Sequence, residues 1–303
     1  MNRLWQLGSL ILGTTLLSAC FSLSDKTESS PLSTDISAAK QIAQQKKNSI
    51  QSIRPNASLP DMLGGILSSD RWTVYQEKQQ EEFEGHVRYD NEQYIFRADY
   101  ALSERKQNRF TAKGNVYVRH NEPNNVWYEL HAPYVVYNYG TGRGYAQAPK
   151  KKTIQLIYHT EKGELITAYA RRAEIDTKQQ TYVLIGDAQI VHVDSQQQTA
   201  TLKADRISAR QKDQYALLKG HAYAQRDGYE FYSDAIEYDG LAQQAYAYGD
   251  RPLAQGATPD GTFAIIADKV TAQTDSHKIH LEGAVQGWVV SEQINRSKAN
   301  KAF

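Results

Sequence analysis

Residues 219–239 read KGHAYAQRDGYEFYSDAIEYD. Gly220 opens a short alternating run through Ala224. A turn follows at Arg226-Asp227-Gly228, and a second alternating run carries Phe231 and Ser233-Asp234. Apolar and polar residues that alternate with period 2 on both sides of an Asp-Gly turn encode a β-hairpin, and period 3.6 is weaker here. The pattern recurs from Phe83 onward. Glycines at positions 85, 114, 144, 186, 220, 249 and 283 punctuate it, and Ala98-Asp99, Ala132-Pro133, Ala204-Asp205, Ser233-Asp234 and Ala267-Asp268 follow most of them. Each repeat predicts two strands and a turn, with turns at Asp90-Asn91, Glu122-Pro123-Asn124, Asp227-Gly228 and Pro259-Asp260-Gly261.

A single hairpin cannot bury its apolar face, but stacked hairpins can, and they leave a long groove with a continuous lining. The phase of the alternation puts Val116/Val118 and Ala188/Ile190 on one face of the first strands. On the second strands, Phe96/Ala98, Leu130/Ala132, Leu202/Ala204 and Phe231/Ser233 share a face. Phe96, Val116, Val118, Leu130, Ile190, Leu202 and Phe231 are therefore expected to line the groove. Asp99, Asp205, Asp234 and Asp268 should point outward or into the turn. Open terminal strands near Val87 and Val285 are expected to present unpaired backbone groups to another strand.

The 303-residue chain has a formal net charge of +1, so no bulk electrostatic attraction to nucleic acid is expected. A hydrophobic fraction of 40% suits a folded core but not a polytopic membrane protein. The 20 tyrosines against 7 phenylalanines favour pleated, half-wet surfaces, because tyrosine has an apolar body and a polar tip.

The residues do not predict an enzyme. The recurring aspartates fall once per repeat, as a structural ladder would, rather than as a pair of catalytic carboxylates. His86, His221 and His280 track strand register rather than metal spacings. There is no Gly-x-Ser-x-Gly element, and Gly140-Thr-Gly142-Arg-Gly144 lacks the lysine and the strand–helix context of a phosphate loop. No metal or other cofactor is expected. Lys150-Lys151-Lys152 reads as a solvated loop, with contact to lipid phosphates as the sharper alternative, which Arg171-Arg172 could join. Tyr134, Tyr137, Tyr139 and Tyr145 are expected to pack a strand edge and a loop.

The N-terminus carries a different message. Arg3 gives a charged start, Leu4 to Leu17 is a short apolar run, and Leu17-Ser18-Ala19-Cys20 follows. This is a signal-peptide plan. Its end resembles the lipobox of bacterial lipoproteins, which implies that Cys20 becomes the lipidated N-terminus, with palmitate among its acyl groups. Cys20 is the one cysteine, so no intrachain disulfide can form. Phe21, rather than Asp, after the cysteine implies the outer membrane, facing the periplasm. Residues 21 to about 70 are rich in Ser, Thr, Gln and Lys and read as a flexible tether, with a weak helix over 33–53 as the alternative.

The repeats themselves are recognisable. Leu218-Lys-Gly220-His-Ala-Tyr-Ala224 followed by Phe231-Tyr-Ser-Asp234-Ala-Ile-Glu-Tyr-Asp239 resembles the OstA-like repeat of the lipopolysaccharide-transport proteins LptA, LptC and the N-terminal domain of LptD. Gly249-Asp-Arg-Pro252 is similar to their Gly-x-Pro segment, and Ile266-Ala-Asp268 and Leu281-Glu-Gly283 continue the likeness. The resemblance covers about 83–290. It implies an all-β fold, the curved β-jellyroll called a β-taco, whose interior holds lipid A acyl chains and whose ends stack edge to edge. The expected organisation is a signal peptide (1–19), a tether (20–70), a jellyroll (71–290, with sub-repeats of about 71–185 and 186–290) and a tail (291–303). The implied function is to bind or relay lipopolysaccharide or a related amphiphile. The implied partners are like jellyrolls, and the membrane through the N-terminal lipid. The alternative is a scaffold that docks partner jellyrolls by edge-strand addition. An enzyme of carbohydrate or lipid metabolism on a β-solenoid is a distant third.

Overall fold

The protein, seen in a computed structural model, is described over residues 65–226, 228–258, 261–273 and 278–291. The expected signal segment, Cys20, the weak helix over 33–53, the tether up to residue 64 and the last residues of the tail lie outside the described residues.

Among the described residues, all regular structure is β apart from one short turn of helix, Arg105–Gln107. Strands β1 (Ile66–Ser68) and β2 (Arg71–Tyr75) are short. Four long strands follow: β3 (Gln80–Asp90), β4 (Tyr94–Glu104), β5 (Arg109–Asn121) and β6 (Trp127–Asn138). Four short ones come next: β7 (Arg143–Gln147), β8 (Ile154–His159), β9 (Leu165–Ala170) and β10 (Arg172–Asp176). The plan then repeats with long β11 (Thr181–Val193), β12 (Thr199–Arg210), β13 (Tyr215–Arg226) and β14 (Tyr229–Asp239). It closes with short β15 (Gln244–Tyr248), β16 (Leu253–Thr258), β17 (Gly261–Ile266), β18 (Lys269–Gln273), β19 (Lys278–Glu282) and β20 (Gln286–Ser291). All pairings are antiparallel, and the jellyroll is built from consecutive hairpins, as the alternation predicts.

The long strands divide into two halves that belong to two different sheets. In sheet I, pairing runs through β2, β3, β4, β5, β6, β7, β10, β11, β12, β13, β14, β15, β18 and β19. Sheet II holds the other half of each long strand, with β1, β8, β9, β16, β17 and β20 in place of the short strands of sheet I. With strands about 4.8 Å apart, each sheet runs on the order of 60 Å.

The glycines explain the division. The alternation predicts that strands open at Gly85, Gly114, Gly186 and Gly220, but these glycines sit inside long strands, where register slips by one residue. At each slip two residues of one strand oppose one of its neighbour, as Gly220-His221 oppose Asp234. Both bulged residues are left-handed: Gly220 has φ +78° and His221 φ +47°. The second bulged position holds His86, Asn115, Asp187 and His221, side chains of the kinds that tolerate this region best. A Cβ at Gly220 would overlap the Asp205 carboxylate, so glycine is needed there for space as well as for φ. Gly144 does not belong to this series. It lies in β7 opposite Tyr137 and has no left-handed φ.

The aspartates and the bulges therefore meet along the ridge that joins the two sheets. His86 Nδ1 lies 2.8 Å from Asp70, Asn115 Nδ2 donates to Asp99 at 2.9 Å, and His221 Nδ1 lies 3.0 Å from Asp205. The Asp250 amide donates to Asp234 at 2.7 Å. One rung is inverted: Arg171 holds the acidic position, and its Nε lies 3.3 Å from Asp187, which holds the basic one. The expectation that Asp99, Asp205, Asp234 and Asp268 face outward is met, because all four are exposed. The hydrogen bond and charge of Asp70 raise the His86 pKa above its ordinary value. A raised folded pKa means that this pair helps the fold at low pH and is lost as pH rises through the folded value. NMR titration should show His86 titrating above His86 in the Asp70→Asn variant, and equal midpoints would contradict the pairing.

Two expectations need correction. β structure begins at Ile66 rather than residue 71, because Ile66–Ser68 pair with the far half of β3. Val87 is not on a terminal strand: β1 and β2 cover β3, and Val87 is 1% exposed. The division proposed at 185/186 falls at the bulge of β11, and both sheets pass through it without a break.

Candidate functional site

The inner face of sheet II is organised in three rows parallel to the ridge, each following register partners from strand to strand. The row nearest the ridge is buried and mostly alanine. It includes Val87, Ala98, Val116, Ala132, Ile154, Ala170, Ala188, Ala204, Ala222 and Ser233. Small residues let the two sheets converge there.

The middle row carries larger apolar side chains. Register partners lead from Phe96 to Val118, Leu130, Leu156, Ala168, Ile190, Leu202, Ala224 and Phe231 without a gap. Six of the seven expected groove residues therefore lie on one line, and the seventh, Val116, sits in the row behind it. All seven belong to one apolar cluster. Leu130, Leu202 and Val116 are buried in it, while Phe96, Val118, Ile190 and Phe231 are half-buried against it. Facing them from sheet I is a second apolar line, including Phe83, Ala112, Val135, Leu184, Leu218, Ile236 and Val270. The ridge side of the interior is thus filled by the chain's own side chains, while the half-buried members of the middle row lie farther out.

The third row lies nearest the turns and was not foreseen. Its register partners run Tyr94, His120, Tyr128, Tyr158, Ile166, His192, Ala200, Arg226 and Tyr229. Tyr94 stacks on His120 at 4.2 Å between ring centres, and Tyr128 on Tyr158 at 4.5 Å. His120, His192 and Arg226 are each under 9% exposed. Carboxylates from the adjacent turns reach them. Glu122 lies 3.8 Å from His120, Glu164 3.4 Å from His192, and Asp194 3.0 Å from Arg226, which also donates to Gln198. Burial raises the Glu122 pKa above the ordinary carboxylate value. A signal was present in the sequence, since His120, His192 and Arg226 each follow a bulge glycine by the same interval.

Tyrosines also line the outer faces. Tyr117 and Tyr223 lay their rings on the sheet and donate to the cross-strand carboxylates Glu129 and Glu230, both at 3.1 Å. Burial, reinforced by Glu230, pushes the Tyr223 pKa up to about 12. The tyrosine group at 134–145 is split between faces. Tyr134 and Tyr145 pack outside, 6.0 Å apart, and Tyr137 is buried. Lys150–Lys152 form the exposed link between β7 and β8. No cluster of His, Cys, Asp and Glu that could hold a metal ion occurs among the described residues.

Both terminal edges expose apolar side chains. β1 and β2 present Ile66, Trp72 and Val74, and the far edge presents Val285, Trp288, Val289 and Val290, all 49% exposed or more. Among the described residues, β1 and β2 pair with β3 alone, and β20 with β17 alone.

Among solved structures, the chain is similar to LptH. That protein is described as the LptA-homologous periplasmic component of the conserved lipopolysaccharide transport device from Pseudomonas aeruginosa. The match has 13% sequence identity and a TM-score of 0.23, and covers 52% of this chain and 82% of that one. No family model and no curated protein matches the chain.

Proposed function

We propose that the protein is a periplasm-facing, Cys20-lipidated outer-membrane component that binds or relays lipopolysaccharide, or a related amphiphile, by laying its acyl chains along the middle row of sheet II. The observation that carries this reading is the continuity of that row, an unbroken apolar line from Phe96 to Phe231. Moving one CH₂ group from water onto such a line gains about 0.8 kcal/mol, so a chain of about a dozen groups gains about 10 kcal/mol gross. Much of that gain is absent when the chain arrives from a membrane or another apolar groove, so transfer along the row is near neutral. That suits a relay better than a store. Like jellyrolls are the partners at the exposed edges, where β1, β2 and β20 offer backbone groups and large apolar side chains.

Photocrosslinking tests the reading. A benzophenone side chain at Val118, Ile190 or Phe231 should label lipopolysaccharide in cells, whereas the same group at Asp234, on the exposed ridge, should label far less. Equal labelling at all four positions, or none, rejects the row as the lipid path.

A further inference from the structure

The third row of sheet II gives the interior a chemical gradient. Going from ridge to turns along β5, β11 and β13, the inward side chains are Val116, Val118, His120; Ala188, Ile190, His192; and Ala222, Ala224, Arg226. Each strand ends its apolar run in a buried group able to carry positive charge. Outward-facing surface charge does not explain this, because all three groups point inward and are under 9% exposed. Burying such groups is costly unless they are paired. The pairing comes from carboxylates on the neighbouring turns, Glu122, Glu164 and Asp194. The turn carboxylates thus supply an anionic partner where an apolar wall meets solvent. The phosphate group of an acylated lipid would need the same position if its tails lay on the middle row.

We propose that His120, His192 and Arg226 form an anion-binding rail that receives the phosphate groups of the amphiphile in competition with Glu122, Glu164 and Asp194. The inference rests on the lipid-binding reading above and adds which part of the guest is recognised and by what. A phosphate makes charge-assisted hydrogen bonds with a guanidinium or imidazolium. Tyr128 and Tyr158 stack between His120 and His192, and Tyr94 stacks on His120, so aromatic faces flank these donors and lower the local dielectric in which such bonds form.

The test compares two probes, purified lipid A bearing its phosphates and the same lipid after phosphatase treatment, on the full chain by tryptophan quenching. The unmodified protein is expected to bind the phosphorylated lipid about tenfold more tightly, the worth of about one charged hydrogen bond. The double variant His192→Gln, Arg226→Gln should lose that preference and keep its affinity for the dephosphorylated lipid. The Glu164→Gln variant removes a competing carboxylate and should tighten binding of the phosphorylated lipid about threefold, a gain that misfolding cannot imitate. Equal binding of both probes by the unmodified protein overturns the rail and leaves the lipid reading standing. So does a preference that survives the double variant, or an unchanged or weaker response in Glu164→Gln. Failure to bind either probe overturns the lipid reading and the rail together.

Discussion

Gly220→Val is expected to lower stability by about 3 kcal/mol, a drop in Tm of about 10 °C for a domain of this size. Two costs combine. Gly220 has φ +78°, a region that β-branched residues almost never occupy. A Cβ there would also overlap the Asp205 carboxylate, which must swing away and break its contact with His221. The change falls where β13 crosses from one sheet to the other, so the defect cannot be confined to a loop. Gly287→Ala is the control, since a Cβ at that position meets nothing closer than 3.6 Å and the residue has no left-handed φ. A thermal melt that shows equal losses for the two variants would contradict the role assigned to the ridge.

Leu130→Ala should cost a similar amount, about 3 kcal/mol, by a different route. Leu130 is 1% exposed and sits between Val118 and Leu156 in the middle row. Removing its branched end leaves a cavity that neighbours fixed in two sheets cannot collapse to fill. Val118→Ala, next to it in the row but half-buried, should cost about 1 kcal/mol. The contrast separates residues that hold the sheets together from residues with surface left for a guest. If chemical denaturation gave equal losses for both, the middle row would be uniform core.

The sequence carried the fold well because both levels of its pattern are physical. Period-2 alternation fixes which residues share a face, and Phe96, Val118, Leu130, Ile190, Leu202 and Phe231 fall on one register line. Turn chemistry at Asn91, Pro123-Asn124 and Gly228 located the hairpins. What alternation could not show is that a strand can change sheets without ending. Gly85 or Gly220 looks like a strand start, because a bulge resets the phase of the pattern as a turn would. The same reset misplaced the terminal edge at Val87, which β1 and β2 cover. The basic row was missed for another reason. His120, His192 and Arg226 differ in type and lie far apart in sequence, and cross-strand register brings them into one line only after seven strands are stacked in order.

The inverted rung, Arg171 with Asp187, has a consequence for how the chain threads itself. Three other rungs, Asp70–His86, Asp99–Asn115 and Asp205–His221, share one acid-to-donor polarity, so a hairpin displaced from one of these to another would find compatible chemistry on the ridge. At Arg171 a displaced segment would set Arg171 against a histidine or asparagine, and Asp187 against another aspartate, leaving both charges uncompensated. The reversed pair would thus act as a key between the two halves, a small bias because both side chains are exposed.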